Sequence, residues 1–479
     1  MQPLTVILVI AGYFAAMLLA SRASRRGGNA AFFGTRSSSW WTVALAMIGA
    51  SMSGVTYVSV PGMVGTKAFG YLQMCLGFFA GYLVIAFVLT PLFYRMNAVS
   101  VYQYLERRFG TASYKTGAWF FFLSKMTGAS VRLFLVCVTM QVLVFGPLGL
   151  PFLLNVLVSI AIVLLYTLRG GVRSVLANDI LKTVCMVLSV VLCIVFIARS
   201  LGLDGAGLVS AIRDSDQSRV WFFDNVNTPN YFWKQFLGGF FTVIAMTGLD
   251  QDMMQRTLSC KNPRESQKNL ITSSILQIVV IFLFLCLGVL LYRFAAENGI
   301  SQTGDELFPA VAASGRLPGI VGILFVLGLV SCAWSAAGSA LTALTTSFTI
   351  DILGTAGKTE RQVTRTRQWV HAGMAAGMAL CILLLERLTS ESTIHIVYTL
   401  ASYTYGPILG LFAFGIAVKR PVRDRWVPLV ALLAPLLCLV LQTGAPHWFG
   451  GYRFGYEILP LNAAFTFLGL CLLIRRRKA

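Results

Sequence analysis

Long apolar runs alternate with short polar stretches along the whole of this sequence. A run of about 20 apolar residues is long enough to cross the hydrocarbon core of a bilayer as a helix. The pattern therefore predicts an all-α polytopic membrane protein with thirteen transmembrane helices. The predicted helices lie at residues 3–20, 40–64, 71–96, 116–143, 149–168, 174–198, 235–255, 270–293, 317–351, 368–386, 394–418, 427–443 and 457–474.

Two of the predicted helices contain residues that interrupt a helix. The second includes the stretch GASMSGVTYVSVPGMVG, residues 49–65, and the seventh includes Gly238, Gly239 and the pair Thr247-Gly248. Interrupted segments in corresponding positions of two halves are typical of transporters built from inverted repeats. A broken backbone is tolerated at membrane depth only where it lines a cavity or binds something, so the breaks predict a binding site. The alternative is that these small residues only let helices pack closely.

The two interruptions lie five helices apart, and an odd number places the second copy upside down in the membrane. We therefore expect a single transmembrane domain over residues 1–479. It would contain a leading helix, two inverted five-helix repeats, each with a broken first helix, and two trailing helices. The leading helix is 3–20, the repeats are 40–198 and 235–418, and the trailing helices fall within 427–474.

The basic residues between the predicted helices indicate the orientation of the chain. With the N-terminus outside, 26 of the 38 Lys and Arg residues fall in cytoplasmic segments, nine outside and three within helices. Cytoplasmic loops carry such an excess, so we expect the N-terminus outside and the C-terminus in the cytoplasm of a bacterial inner membrane. The same placement accounts for the net charge of +20 without a nucleic-acid partner. The largest outside loop, residues 199–234, is either a short lid or a solvated connector.

The composition supports a membrane protein and argues against several kinds of chemistry. Hydrophobic residues make up 57% of the chain and charged residues 12%, which is too apolar for a soluble protein of this length. The ten cysteines fall mostly in apolar runs and are expected to be free thiols. The three histidines do not cluster with one another or with cysteine, so no zinc or haem site is expected. The sequence also contains no nucleophile–base pair that would indicate an enzyme.

Ionisable residues inside predicted helices are candidates for function, because burying a charge in a bilayer is costly. Asp179 lies one turn before Lys182, and it is either a cation-linked carboxylate or half of an interfacial salt bridge. Arg132 lies in the fourth helix, where it either binds an anionic substrate or pairs with a protein acid or with carbonyl groups. The ninth helix carries a polar stripe on one face, which either forms hydrogen bonds to neighbouring helices or provides a path for a cation. The stripe consists of Ser331, Ser335, Ser339 and Thr342.

Four stretches resemble motifs of the sodium:solute symporter family, and the resemblance covers nearly the whole chain. It implies a leucine-transporter-like fold with two five-helix inverted repeats, and uptake driven by the sodium gradient. The stretches are TGLDQDMMQRTLSCKNPRESQKN at 247–269, GGVRSVLANDILK at 170–182, SAAGSALTALTTSFTIDIL at 335–353 and SYTYGPILGLF at 402–412.

The resemblance also implies where a coupling sodium ion binds. The main sodium site of the family uses backbone carbonyls and two adjacent hydroxyls. The carbonyl positions correspond here to Gly49, Met52 and Cys332, and the hydroxyl positions to Ser335 and Ala336. Because alanine has no hydroxyl, one ligand of this site is missing. Either a water or a neighbour such as Ser339 or Ser51 replaces it, or the site has lower affinity for sodium or uses another cation.

A second group of candidate cation ligands surrounds Asp179. This residue corresponds to a family aspartate that is associated with a second sodium ion in some members. The hydroxyl positions that accompany it are Ser335, Gly338 and Ser339, so one hydroxyl is again absent. We therefore include Asp179 and Ser339 among the candidate cation ligands without expecting two sodium ions.

Solute-binding residues are implied by the resemblance to members that transport sialic acid and other organic solutes. Ser51, Ser53 and Thr56 occupy positions where those members present hydroxyls to the substrate. Tyr71 and Gln73, at the start of the third helix, are expected to contribute as well.

The predicted function is secondary active transport, in which sodium and a small organic solute are carried together by alternating access. Galactose-type members stack an aromatic residue on the sugar at the position of Met246, so this candidate pocket residue argues against sugar stacking. Arg132 favours a solute with a carboxylate. The alternatives are a proton-coupled symporter of the same fold and a membrane sensor that does not transport. The expected partners are the solute and the lipid bilayer, with sodium as coupling ion and the monomer as functional unit.

Overall fold

The computed structural model describes residues 3–23, 36–97, 100–167, 172–355, 357–388, 393–450, 452 and 454–475. Within these ranges the chain forms twenty α-helices and, apart from two isolated bridges, no β-structure. The helices are α1 (Pro3–Ala23), α2 (Trp40–Ser51), α3 (Gly54–Gly62), α4 (Val64–Lys67), α5 (Tyr71–Val84), α6 (Thr90–Met96), α7 (Gln103–Arg108), α8 (Thr111–Met140), α9 (Phe152–Thr167), α10 (Val172–Ser200), α11 (Gly205–Arg213), α12 (Phe232–Val243), α13 (Gln251–Thr257), α14 (Pro263–Glu297), α15 (Leu307–Ala313), α16 (Gly319–Ser347), α17 (Glu360–Leu388), α18 (Thr393–Ala417), α19 (Val427–Trp448) and α20 (Ile458–Leu472).

The helices match the apolar runs of the sequence. In the described part of the chain, eight helices are long and apolar enough to cross a membrane, and α2 with α3 forms a ninth candidate if the bent pair is one span. Shorter apolar helices lie in α1, α9 and α20. Each of the thirteen predicted segments overlaps a helix, although 235–255 is divided between α12 and α13. The all-α prediction is confirmed, while the number of thirteen spans and the repeat layout stay predictions.

The first predicted break lies between α2 and α3. The two helices meet at an angle of 61°, and Met52 and Ser53 between them have extended backbone conformations. The Met52 N–H still donates to Ile48 and the Ser53 carbonyl still accepts from Tyr57, but the Met52 carbonyl between them has no helical donor and is free to bind another group. The backbone N–H of Ser53 donates to Thr56 Oγ1 at 3.2 Å, which fixes the start of α3.

The second predicted break follows α12. A π-helical turn, Ile244–Gly248, ends the helix, and α13 begins only at Gln251. The side chain of Asp250 caps α13 by accepting from the backbone N–H groups of residues 252 and 253. Gly238 and Gly239 lie inside the continuous helix α12, so their predicted part in the interruption is wrong. A Cβ atom on Gly239 would overlap the carbonyl oxygen of Met74, which shows that this glycine allows α12 to pack closely on α5.

Close helix packing also explains one of the predicted cation-site glycines. Gly49 lies in α2 and faces the backbone of α10. A Cβ atom there would overlap the carbonyl oxygen of Asp179 and lie 2.6 Å from Thr183 Oγ1. Gly49 therefore allows the broken helix to approach the helix that carries Asp179.

We expect Gly49→Ala to lower the free energy of unfolding by about 1–3 kcal/mol, because the added methyl group pushes against backbone that cannot rotate away. Thermal unfolding of the purified protein in detergent measures the effect. Gly373→Ala in α17 is the matched control, since a Cβ atom there meets nothing within 4 Å. Equal unfolding temperatures for the two variants would contradict this account of Gly49.

Candidate cation and solute site

A central cavity lies directly beside the break between α2 and α3. Its walls come from both sides of that break, from the break between α12 and α13, and from α5, α8, α14, α16 and α18. The two interrupted segments therefore meet at one cavity. The predicted binding residues that line it are Ser51, Met52, Ser53, Thr56, Tyr71, Arg132, Met246 and Ser339.

The hydroxyl groups on the cavity wall are held in place by local bonds. Ser51 Oγ donates to the backbone of its own helix at 2.7 Å, and Thr56 Oγ1 accepts from Ser53. The hydroxyl groups of Tyr71 and Tyr398 bond to each other at 2.8 Å. A hydroxyl has one donor and two acceptor positions, so each of these groups keeps capacity to bind a solute.

Gln73 does not line the cavity, which corrects its predicted role in solute binding. It is completely buried at the start of α5. Its Nε2 donates to the carbonyl oxygen of Asn230 at 3.0 Å, and its Oε1 accepts from the backbone N–H of Phe222 at 3.1 Å. Because both bonds reach residues of the 199–234 loop, Gln73 ties that loop to the membrane helices.

Arg132 lines the cavity from α8 and is half-buried. Among the described residues, its guanidinium group forms no hydrogen bond and no ion pair. Lys125, two turns earlier, behaves differently: its Nζ lies 2.9 Å from Asp252 Oδ2 and 3.1 Å from Asp250 Oδ2. The predicted alternative of a protein acid for Arg132 is therefore not realised in the described structure.

A chain of ion pairs runs from the cavity wall into the protein interior. Arg256 on α13 donates from Nε to Asp179 Oδ2 at 2.9 Å, and from Nη1 to Asp252. Asp252 also contacts Lys125, which in turn contacts Asp250. Charges buried to this degree are stable only when they are paired and hydrogen-bonded, so the network holds α8, α10 and α13 together around the cavity.

Asp179 has both carboxylate oxygens engaged. Ser335 Oγ donates to its Oδ1 at 2.6 Å, and Arg256 occupies its Oδ2. Asp179 and Ser335, which the resemblance places in one group, are therefore in direct contact, while their role as cation ligands stays a prediction. The predicted alternative of a salt bridge with Lys182 is wrong in the described structure, because the ion-pair partner of Asp179 is Arg256.

The residues predicted to hold the main sodium ion do not supply the full set of predicted oxygen ligands. The Nζ of Lys182 donates to the carbonyl oxygen of Met52. Ser335 directs its hydroxyl proton at Asp179, and Ala336 lines the cavity without offering an oxygen. Cys332 is completely buried on α16. A hard cation is held by several oxygen ligands, so this set does not fit a sodium ion at Met52.

The second predicted set of hydroxyl ligands, which accompanies Asp179, also differs from the family pattern. Where the family pattern has a hydroxyl and this chain has Gly338, the ring of Tyr166 fills the space, and its hydroxyl donates to the carbonyl oxygen of Trp334. Ser339 Oγ is buried beside the cavity, and no described residue forms a hydrogen bond with it. Ser339 is therefore the hydroxyl of this group that remains available to a ligand.

Sequence reasoning missed Arg256, Asp252 and Asp250 as components of the site. All three lie in the stretch that carries the strongest motif, LDQDMMQR, and Asp252 and Arg256 are four residues apart. That spacing places two side chains on one face of a helix. It could have indicated an ion pair, but not that the pair would reach Asp179 on α10.

Comparisons with known proteins agree with this architecture. The family model described as "Sodium:solute symporter family" matches residues 32–424. The sodium/sialic acid symporter NanT of Aliivibrio fischeri is 26% identical over 86% of this chain and 82% of its own length. The human sodium/iodide cotransporter is 23% identical over 82% of this chain, and the match spans 64% of the cotransporter.

The fold is also similar to that of a solved structure. A Na+-coupled sialic acid symporter, captured substrate-bound in an outward-open state, superimposes with a TM-score of 0.81. The superposition covers 98% of this chain and 97% of the other, at 18% sequence identity. At that identity the likeness concerns the fold.

Proposed function

Since the chain belongs to the sodium:solute symporter family, we propose that it carries a small carboxylate-bearing organic solute together with sodium by alternating access. The members of this family are transporters rather than enzymes, and the apolar helices make this chain a multi-pass membrane protein. The substrate class and the transport cycle are the parts that require their own evidence.

The single observation that carries the substrate class is the free guanidinium group of Arg132 in the cavity. A charged group at membrane depth needs a partner of opposite charge or several hydrogen-bond acceptors. The planar guanidinium can bind both oxygens of a carboxylate at once. A solute carboxylate would supply the partner that the described residues do not.

The charge balance around the break supports the same substrate class. Among the described residues, the charged groups that line the cavity, those joined to them through the chain of ion pairs, and the ammonium group at the break number three negative and four positive, which leaves one positive charge in excess. They are Asp179, Asp250 and Asp252 on one side, and Lys125, Arg132, Lys182 and Arg256 on the other. An anionic solute would neutralise the excess, whereas a neutral solute would leave Arg132 unpaired.

The rest of the cavity suits a polar organic solute. The hydroxyl groups of Ser51 and Thr56 and the paired hydroxyl groups of Tyr71 and Tyr398 lie on its wall. Met246 lines the same space and supplies apolar contact without a ring for stacking. Both helix breaks reach this cavity, so a solute bound here contacts segments that have little internal helical support. Transport follows if solute and sodium bind one conformation better than the other.

Uptake into proteoliposomes tests this proposal, with sodium and pH gradients imposed separately. We expect an inward sodium gradient to drive accumulation of at least one solute from a panel of carboxylates. Neutral amide analogues of the same solutes are the matched controls and should not accumulate. Accumulation driven by a pH gradient in sodium-free buffer would replace sodium by the proton as coupling ion. Accumulation of the amides to the same level would overturn the carboxylate assignment.

A further inference from the structure

Lys182 enters the proposed function only through its charge, although it is completely buried beside the helix break. It lies on α10, and its ammonium group donates to the carbonyl oxygen of Met52, one of the two extended residues between α2 and α3. We propose that this ammonium group is a tethered cation that takes the place of sodium at the break. This inference goes beyond the proposed function, since it concerns which cation the break holds and not which solute is carried.

The Met52 carbonyl is freed by the break and must find a donor or a cation. A buried carbonyl without a partner is costly, and lipid offers none. The Lys182 ammonium group satisfies this oxygen with an N–H donor and carries the same single positive charge as a sodium ion. The position is therefore occupied by the protein itself.

One of the two hydroxyl oxygens expected around a sodium ion is absent, and the other also serves as a donor to Asp179. Ala336 contributes no hydroxyl, although its side chain faces the cavity. Ser335 donates to Asp179 at 2.6 Å. These two positions are where the family resemblance places the hydroxyl ligands. The missing hydroxyl at Ala336 weakens the site for a bare sodium ion, which needs several oxygen ligands, whereas the ammonium group is held in place by its own side chain.

Charge also argues against a sodium ion next to the ammonium group. Asp179, the nearest acid along α10, is already neutralised by Arg256 at 2.9 Å. No described carboxylate lies within ion-pair distance of Lys182, so a second cation at Met52 would face the ammonium group without compensation. Like charges repel strongly where water is scarce. Sodium and the Lys182 ammonium group therefore exclude each other at this position.

Binding of radioactive sodium to the purified protein in detergent tests the inference without any transport step. Four proteins are compared: the unaltered protein, Ala336→Ser, Lys182→Ala and the double variant. We expect Ala336→Ser to leave sodium affinity unchanged, because the ammonium group still holds the position. We expect Lys182→Ala to add one bound sodium ion per protein, and the double variant to bind that ion about tenfold more tightly again.

Two controls make the comparison decisive. Lys182→Arg keeps the positive charge and should bind no additional sodium ion. If Lys182→Ala fails to fold, Ala336→Ser decides alone, since it changes one small side chain on the cavity wall. Tighter sodium binding by Ala336→Ser, or an unchanged sodium count in a folded Lys182→Ala protein, would overturn the inference.

The test is separate from that of the proposed function. Absence of sodium-driven uptake would overturn the proposed coupling but leave the tethered cation standing. A sodium count that a folded Lys182→Ala protein does not raise would overturn the tethered cation and leave sodium-driven uptake intact.

Discussion

Replacing Arg132 with glutamine is expected to weaken binding of the carboxylate solute strongly while the protein still folds. Arg132 forms no ion pair with a described residue, so its loss leaves no buried acid without a partner. The bound carboxylate, by contrast, loses the one cavity-wall cation that no described acid neutralises. Removing one side of such a charge pair costs about 2–5 kcal/mol, which corresponds to affinity weaker by about thirtyfold or more. Equilibrium binding of the solute identified in the uptake assay measures the effect.

The matched control is Arg213→Gln, which makes the same chemical change in the exposed helix α11, far from the cavity lining. It should keep wild-type affinity. Arg132→Lys is expected to bind the solute more tightly than Arg132→Gln but less tightly than the unaltered protein. An ammonium group keeps the charge but cannot form the planar pair of hydrogen bonds to both oxygens of a carboxylate. If Arg132→Gln binds the solute as tightly as the control does, Arg132 is not the carboxylate partner.

Replacing Arg256 with methionine is expected to destabilise the protein by about 3–5 kcal/mol, the usual effect of removing one partner from a buried ion pair. Arg256 is 1% exposed and contacts both Asp179 and Asp252. Asp252 keeps Lys125, but Asp179 would be left with the Ser335 hydroxyl as its described partner. Thermal unfolding in detergent should show a clear drop in the midpoint temperature.

Two further variants separate the ion pair from simple loss of side-chain volume. Arg264→Met alters an exposed arginine near the start of α14 and should leave the midpoint unchanged. The double variant Arg256→Met with Asp179→Leu should regain part of the lost stability, because an apolar pair can replace a buried ion pair of similar volume. A double variant less stable than Arg256→Met would contradict the importance of this pair.

The ion-pair network changes the meaning of the Asp179 prediction. Sequence patterns indicated a carboxylate at membrane depth and connected it with a cation. In the structure that cation is the Arg256 guanidinium, from a segment 77 residues further along the chain. Asp179→Asn is therefore expected to disturb the charge balance of α10 and α13 first, and any effect on sodium-dependent uptake would follow from that disturbance.

Several features of this protein were determined by the sequence alone. The apolar runs predicted the helical class, because the length of a run relates directly to the thickness of the bilayer. The stretch 49–65 predicted the break, since glycine and serine in mid-membrane weaken a helix locally. Arg132 was recognised as a candidate for anion binding from its depth in an apolar run. These properties depend on neighbouring residues, so they can be read along the chain.

Only the tertiary structure decided what the break and its charges bind. Ala336 indicated a missing sodium ligand, but the sequence could not show that Lys182 reaches the Met52 carbonyl, 130 residues away. It also could not show that Gln73 turns towards the 199–234 loop, or that Arg132 alone among the cavity cations lacks a described partner. Hydrogen bonds and ion pairs act over a few ångströms, and which groups meet at that distance depends on how distant helices pack. Which cation lies at the break, a sodium ion or the Lys182 ammonium group, therefore depends on the tertiary structure.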